Sequence, residues 1–246
     1  MCGICGFAGS GTKTMLLKMR QKMVHRGPDD AGIYFHIKDR IGFGHRRLSI
    51  IDLSSFGRQP MQSSSGKTVI AYNGEVYNYK ELISEHNLEV TTQSDTEVVL
   101  LMYQKYGASC LDYFNGMFAF IIYNENTGDT FAARDRLGIK PLYYSVTKSG
   151  VSFSSEPKSL LLHPEISSEP DFDALDHYFT FKNIPSPQSA FRDIRQVLPG
   201  QFLLWEDGSA KLHSWYELPD NSETSPPSSE TDAVSELKNL LDSSVE

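Results

Sequence analysis

Near the centre of the chain lies an unbroken apolar run, Met117-Phe118-Ala119-Phe120-Ile121-Ile122-Tyr123. A strand with one face in water alternates apolar and polar residues, whereas a strand that is covered on both faces is apolar throughout. The run is followed by a turn sequence, Asn126-Thr127-Gly128-Asp129, and by a second strand candidate at Thr130–Arg134. These residues predict a hairpin in a sheet that has other structure on both sides.

Short strands and a few helices are predicted on either side of this hairpin. The other strand candidates are Cys2–Gly9, Gly32–Ile37, Ile41–Arg46, Thr68–Tyr72, Leu142–Val146, Val151–Ser155, Gln201–Trp205 and Ala210–Trp215. Helices are predicted at Thr14–His25, from the capping-box sequence Ser94-Asp95-Thr96-Glu97 to Tyr106, and after Asp171 with Phe172, Leu175, Tyr178 and Phe179 inward. This mixture predicts an α+β protein.

Composition indicates a globular protein, since 39% of the 246 residues are hydrophobic. Lys and Arg number 23 against 31 Asp and Glu, a net charge of −8. With no basic run in the sequence, neither nucleic acid nor an anionic membrane is an expected partner. No apolar stretch approaches the roughly 18 residues of a membrane span, and no signal peptide is visible. Three cysteines cannot build a disulfide framework, so the reducing cytoplasm is the expected compartment.

Cys2 is the most informative residue for chemistry. If Met1 is removed, Cys2 carries both a thiol and a free α-amine, whose pKa of about 7.7–8.0 suits it to accept the thiol proton near neutral pH. One residue can then be nucleophile and general base together. The alternatives are an ordinary residue near the terminus, or a metal site shared with Cys5. The second alternative is disfavoured because positions 2 and 5 of a strand point to opposite faces, and no metal site is predicted.

Each of the other candidate residues also has a plain structural interpretation. Asn73 and Gly74 can donate hydrogen bonds to an oxyanion, yet Asn-Gly in isolation favours a tight turn. Arg47 can grip a carboxylate at two points, or be a solvated charge on a strand. Asp95 can bind an ammonium group, or favour the positive end of a helix. Glu75 can assist at the ammonium, or cap the turn.

A set of motifs lies in colinear order between Cys2 and about Trp215. The motifs are Met1-Cys2-Gly3-Ile4, Arg26-Gly27-Pro28-Asp29, His45-Arg46-Arg47-Leu48-Ser49-Ile50-Ile51-Asp52, Tyr72-Asn73-Gly74-Glu75-Val76-Tyr77-Asn78, Ser94-Asp95 and Arg134-Asp135-Arg136-Leu137-Gly138-Ile139-Lys140-Pro141-Leu142-Tyr143. Together they resemble the glutaminase half of glutamine-hydrolysing asparagine synthetases, a class II glutamine amidotransferase. The resemblance implies an N-terminal-nucleophile (Ntn) hydrolase fold: a four-layer αββα sandwich of two antiparallel sheets between helical layers.

The resemblance also implies a role for each candidate. Cys2 corresponds to the nucleophile, Asn73 and Gly74 to the oxyanion hole, and Arg47 to the clamp for the glutamine α-carboxylate. Glu75 and Asp95 correspond to contacts with the amino end of glutamine. The same pocket is lined, partly through the backbone, by Leu48, Ser49, Ile50 and Ile51.

The implied reaction is hydrolysis of L-glutamine to glutamate and ammonia through a Cys2 thioester. In this family the ammonia serves an ATP-dependent amidation of aspartate in a C-terminal domain, so ATP and Mg are expected only there and no cofactor is expected in the glutaminase domain. We expect that domain at 2–217, a polar linker at 218–230, and the first helix of a truncated synthetase domain at 231–246. The synthetase domain is thus an expected partner, and a homodimer is held open.

Two alternatives to this function remain at the level of the sequence. One is the glutaminase domain of a sugar or metabolite amidotransferase of the same fold, although the Thr-His-Gly run of hexosamine-type glutaminases is not found here. The other is a non-catalytic interaction domain that has kept the fold. Labelling of Cys2 by a glutamine-like electrophile separates the enzymes from the interaction domain.

Overall fold

Two compact units make up the chain in its computed structural model, Met1–Tyr216 and Glu217–Glu246. The structure describes residues 1–49, 57–219 and 228–245. None of the helices in these ranges is long and apolar enough to cross a membrane.

In the part of the chain that the structure describes, the first unit is built on two antiparallel sheets of six strands each. One sheet has the order β10-β8-β9-β1-β3-β2 and the other β12-β11-β7-β6-β5-β4. The strands are β1 Gly3–Ala8, β2 Asp30–His36, β3 Ile41–Arg47, β4 Met61–Gln62, β5 Thr68–Val76, β6 Gly116–Asn124, β7 Asp129–Arg134, β8 Tyr143–Thr147, β9 Gly150–Ser154, β10 Arg195–Gln196, β11 Gln201–Glu206 and β12 Ser209–Ser214.

Helices cover the outer faces of both sheets. Within the described residues, the helices of this unit are α1 Lys13–Gln21, α2 Tyr79–Glu85, α3 Asp95–Tyr106, α4 Pro157–Leu160 and α5 Phe172–Phe181, with a 3-10 helix at Gly107–Tyr113. Helices α1 and α4 share a buried cluster with β1, whereas α2 and α3 share another with β5 and β6. A third cluster fills the space between the sheets. The expected four-layer αββα sandwich is therefore confirmed.

Strand β6 carries the apolar run from which the two-sided burial was predicted. Ala119, Ile121 and Tyr123 belong to the cluster between the sheets, while Phe118 and Phe120 pack in the cluster with α3. Successive side chains of a strand point to opposite faces, so an apolar run is what a strand between two cores requires. That prediction is confirmed.

Two secondary-structure predictions are wrong in an instructive way. Strand β5 does not end at Tyr72 but continues through Asn73 and Gly74 to Val76, paired with β6 along its whole length, so the Asn-Gly pair is not a turn. A Cβ on Gly74 would lie 2.5 Å from the carbonyl oxygen of Met117, so the glycine permits the close approach of β6. On α5, Phe172, Tyr178 and Phe179 are exposed rather than inward, and Ala174 is the buried residue.

The capping box of α3 is only half formed. Ser94 Oγ accepts from the Thr96 backbone N–H at 3.3 Å, as the pattern predicts. Glu97 does not reach back to Ser94; its carboxylate instead accepts from the backbone N–H groups of Thr91 and Thr92. Neither of these contacts involves the side chain of Asp95, the first residue of the helix, whose partners are described with the site below.

The second unit contains α6, Glu230–Val245, which begins one residue before the predicted helix. Its apolar residues are exposed, at Val234, Leu237, Leu240 and Leu241. Most of the predicted linker lies outside the described residues. The assignment of this helix to a further domain stays a prediction.

Candidate active site

Alternation along three strands carries the candidate residues to one end of the space between the sheets. Val69 and Ala71 of β5 point into the core between the sheets, and Asn73 continues that series. On β3, Ile41 and Phe43 also point into this core. Arg47, the last residue of β3, lies an even number of residues further on and so is on the same face of the strand. On β1, Ile4 faces this core, and Cys2 precedes it by two positions.

A cavity of about 260 Å³ opens at this place. Most of the predicted site residues line it: Cys2, Arg47, Leu48, Asn73, Gly74, Glu75 and Asp95. Ser49 is not among the lining residues, and Ile50 and Ile51 lie outside the described part of the chain. The remaining walls come from Met1, Gly57, Gln59, Tyr72, Ser94, Thr96, Met117 and Lys140.

The Cys2 thiol lies against the backbone of Leu48. Its Sγ accepts from the Leu48 N–H at 3.5 Å and donates to the Leu48 carbonyl oxygen at 3.7 Å. Burial raises the pKa of the Cys2 thiol, and the Leu48 N–H and nearby positive charges offset part of that rise. A thiol in this setting needs a base in order to become a nucleophile.

The backbone at Cys2 is held by an ion pair that the sequence analysis did not single out. Arg26 Nε donates to the carbonyl oxygen of Cys2 at 2.9 Å, and Arg26 Nη1 lies 3.3 Å from Glu156 Oε1. Glu156 also binds His25 and Lys158. Arg26 was visible in the Arg26-Gly27-Pro28-Asp29 motif, but only the structure links it to the cysteine.

Cys5 lies on the other face of β1 from Cys2 and is fully buried against α1. Burial raises the pKa of the Cys5 thiol to about 12. Cys2 and Cys5 therefore do not converge, as the strand geometry predicted. Within residues 1–49, 57–219 and 228–245 no cluster of three His, Cys, Asp or Glu side chains could hold a metal ion.

Asn73 is a buried polar residue with an unused donor. Its side chain is 1% exposed, and its Nδ2 makes no hydrogen bond to any described residue. Buried donors are nearly always paired, because leaving one unpaired costs about 1–3 kcal/mol. An unpaired amide in the wall of a cavity is therefore suited to a ligand oxygen.

Arg47 ends β3 at the cavity, and its neighbours are anchored by Asp29. The Asp29 N–H donates to the Arg47 carbonyl oxygen at 3.0 Å, and the Ser49 N–H donates to Asp29 Oδ2 at 2.8 Å. Ser49 thus contributes a backbone contact that fixes the strand end. Asp29 is a second positioning residue whose role becomes visible only in the fold.

The carboxylate of Asp95 is turned toward β5. Its Oδ2 accepts from Tyr72 Oη at 2.6 Å and from the Val76 N–H at 3.0 Å. Burial raises the pKa of the Asp95 carboxyl, and the carboxylate of Glu75 raises it further, while these hydrogen bonds act against the rise. Gln59 ties the same region together, since its amide binds both the Tyr72 N–H and Thr96 Oγ1.

The solved structures show the class of fold. Glutamine phosphoribosylpyrophosphate amidotransferase from B. subtilis superposes with a TM-score of 0.64 at 20% identity, over 87% of this chain and 49% of that one. An identity this low carries information about the fold alone. The architecture is that of an N-terminal-nucleophile hydrolase.

The sequence comparisons identify the family more closely. A family model described as a glutamine amidotransferase domain matches residues 1–216. The putative glutamine-hydrolyzing asparagine synthetase 2 of Methanocaldococcus jannaschii is 40% identical over 243 residues, which cover 89% of this chain and 47% of the relative. The glutamine-hydrolyzing asparagine synthetase 1 of Bacillus subtilis is 39% identical over 228 residues, 87% of this chain and 35% of the relative. The chain belongs to the glutamine amidotransferase domain family, and it spans between a third and a half of the length of these relatives.

Proposed function

We propose that the chain is the glutaminase domain of a glutamine-hydrolysing asparagine synthetase. It hydrolyses L-glutamine to glutamate and ammonia. The observation that carries the proposal is a single cavity lined by Cys2, by Asn73, whose amide Nδ2 has no partner among the described residues, and by Arg47, Glu75 and Asp95. Thiol and amide suit acyl transfer from a carboxamide, and the charged groups suit the two ends of an amino acid.

The base is the first question for this mechanism. No histidine is among the described residues that line the cavity. Fully buried His45 donates to the Tyr72 carbonyl oxygen through Nε2 at 3.0 Å, and burial lowers the pKa of its imidazole to about 4. We therefore assign the base to the α-amine of Cys2, which becomes free when Met1 is removed.

In the proposed reaction the α-amine of Cys2 takes the thiol proton, and Sγ attacks the γ-carbonyl carbon of glutamine. The oxyanion accepts hydrogen bonds from Asn73 Nδ2 and from the backbone N–H of Gly74. The intermediate expels ammonia as the amine returns its proton to the leaving nitrogen. Water then attacks the thioester, releases glutamate and restores the thiol.

The charged groups orient the substrate. Arg47 binds the α-carboxylate through its planar fork, while Asp95 and Glu75 bind the α-ammonium. Leu48 supplies an apolar wall beside the thiol. Contacts of Ser49, Ile50 and Ile51 with glutamine stay a prediction. Tyr72 holds Asp95 in place.

The use of the ammonia is proposed from the relatives, which are named as asparagine synthetases. In this proposal a domain beyond residue 246 amidates aspartate with ATP and Mg, so these cofactors are not assigned to the present chain. The cytoplasmic location and the homodimer remain predictions.

The proposal is tested by incubating the 246-residue chain with L-glutamine and measuring glutamate and ammonia. We expect equimolar release of the two products, and an intact mass that lacks Met1. A glutamine-like electrophile should then add once, at Cys2, in preference to the buried Cys5 and Cys110. Absence of both turnover and labelling in protein that has lost Met1 would count against the glutaminase and favour an interaction domain.

Arg47→Ala is expected to raise KM for glutamine by about ten- to a hundredfold, because hydrogen bonds to charged groups contribute about 1.5–3 kcal/mol. The contact exists in the ground state and in the transition state, so kcat should change much less. Steady-state kinetics give both values. The KM of Arg47→Lys, which keeps the charge but not the planar fork, should lie between the KM of the parent and that of Arg47→Ala. An unchanged KM in the alanine variant would remove Arg47 from this role.

A further inference from the structure

Lys140 is a cation of the cavity wall to which the mechanism above gives no role. Its side chain is largely buried, with 7% of the residue exposed. Among the ion pairs of the described residues none includes Lys140. Buried lysines are normally paired with an acid, because an unpaired ammonium loses hydration without compensation. The cavity therefore holds a positive charge that has no acidic partner in this part of the chain.

The backbone of Lys140 is fixed by two neighbouring side chains. Asp135 Oδ2 accepts from the Lys140 N–H at 3.0 Å, and Arg134 Nε donates to the Lys140 carbonyl oxygen at 2.8 Å. Asp135 also accepts from the N–H groups of Phe118 and Ile139, so its buried carboxylate joins this loop to β6. A loop tied in this way holds the lysine at the cavity instead of letting it extend into water.

The charges of the substrate do not call for this lysine. If the proposed function holds, glutamine brings one carboxylate, matched by Arg47, and one ammonium, matched by Asp95 and Glu75. Its carboxamide is neutral. Lys140, the second cation of the cavity, therefore has no partner in the bound substrate. The reaction, however, creates two anions in this cavity: first the thiolate of Cys2, and then the oxyanion.

We propose that Lys140 is an electrostatic positioning residue for the nucleophile, whose ammonium stabilises the thiolate of Cys2 and the oxyanion formed from it. The role of Lys140 in catalysis rests on the proposed function. The stabilisation of the Cys2 thiolate by Lys140 does not depend on that function. The electrostatics of the site agree with it, since Lys140 is among the cations that lower the raised pKa of the Cys2 thiol.

Other charged or titratable groups also face Cys2 from each surrounding element. They are the α-amine at the N-terminus, Arg26 after α1, Arg47 on β3, Tyr72 and Glu75 on β5, and Asp95 on α3. The test must therefore change the charge of Lys140 alone and read the thiol directly.

The experiment measures the rate of Cys2 alkylation by iodoacetamide, a small neutral electrophile, from pH 6 to pH 10. The 246-residue chain without Met1 is used, and the adduct is counted by intact mass. In Lys140→Gln we expect the thiol pKa to rise by about one unit, so that alkylation at pH 7 slows roughly tenfold. Lys140→Arg should keep the parent profile, and so should Lys67→Gln, which removes an exposed lysine distant in sequence from the loop.

Glutamine kinetics give a second measurement. Lys140→Gln should lower kcat by a similar factor with little change in KM, the opposite of Arg47→Ala. A folded Lys140→Gln protein with the parent alkylation profile overturns the inference. If glutamine is not hydrolysed by any form but the alkylation shift is found, the proposed function fails and the charge coupling stands.

If Lys140→Gln does not fold, the inference is tested on the unsubstituted protein. Charge coupling is reciprocal, so the ¹³Cε resonance of Lys140 should show a titration step at the pKa of the Cys2 thiol. Alkylation of Cys2 should abolish that step. A resonance that does not respond to the thiol contradicts the proposal without any substitution at Lys140.

Discussion

Cys2→Ala is expected to reduce glutamine hydrolysis by roughly 10⁴-fold or more, because loss of the nucleophile removes the covalent route altogether. The variant should also fail to gain mass with a glutamine-like electrophile. Alanine at position 2 is small, so removal of Met1 should proceed as in the parent. Product release and intact mass, measured on the same preparation, check both statements.

Cys5→Ala is the matched control for this variant. Cys5 is buried on the opposite face of β1, away from the cavity, and its substitution should leave glutamine turnover and labelling close to those of the parent. Unchanged turnover in Cys2→Ala, or loss of labelling in a folded Cys5→Ala protein, would move the nucleophile elsewhere and end the proposed mechanism.

Asn73→Ala is expected to lower kcat by about 10²–10³-fold, the usual effect of removing one oxyanion-hole donor. KM should change little, because the oxyanion exists only in the transition state and the intermediate. The thermal unfolding midpoint should not fall, because Asn73 Nδ2 has no hydrogen bond within the described fold that the substitution could break. Kinetics and a thermal melt together test the role.

Asn78→Ala is a control with the opposite pattern. Asn78 Nδ2 donates to the Tyr113 carbonyl oxygen and its Oδ1 accepts from the Asn115 N–H, so its loss should lower stability while activity is retained. If Asn73→Ala instead destabilised the protein and kept its kcat, Asn73 would be a structural residue and the oxyanion would need another donor.

The two asparagines show why activity and stability separate at this site. Asn78 is half-buried and satisfies its hydrogen bonds within the fold. Asn73 has a donor that no described residue uses, at a place where a ligand can reach it. An unsatisfied group that costs stability is a common property of functional sites.

Local patterns were sufficient for most of the secondary structure. The apolar run of β6 predicted a strand between two cores, and turn sequences marked the following hairpin. The same local reasoning failed at Asn73-Gly74, where the propensity for a tight turn is overridden by pairing of β5 with β6. It also failed at α5, whose aromatic residues are exposed although their spacing resembles that of a buried face.

The amino-acid sequence by itself determined most of the strands, the starts of α1, α3 and α5 to within a residue, and a cysteine that can become the first residue, because these depend on neighbours along the chain. Only the tertiary structure decided what each candidate touches. The contact of Cys2 with Leu48 joins residues 46 positions apart, and that of Tyr72 with Asp95 joins residues 23 apart. Such contacts arise when two sheets pack and bring strand ends to one place. The Asn73 amide and the Lys140 charge, which have no partner among the described residues, and the inward turn of Asp95 therefore become visible only in the folded protein.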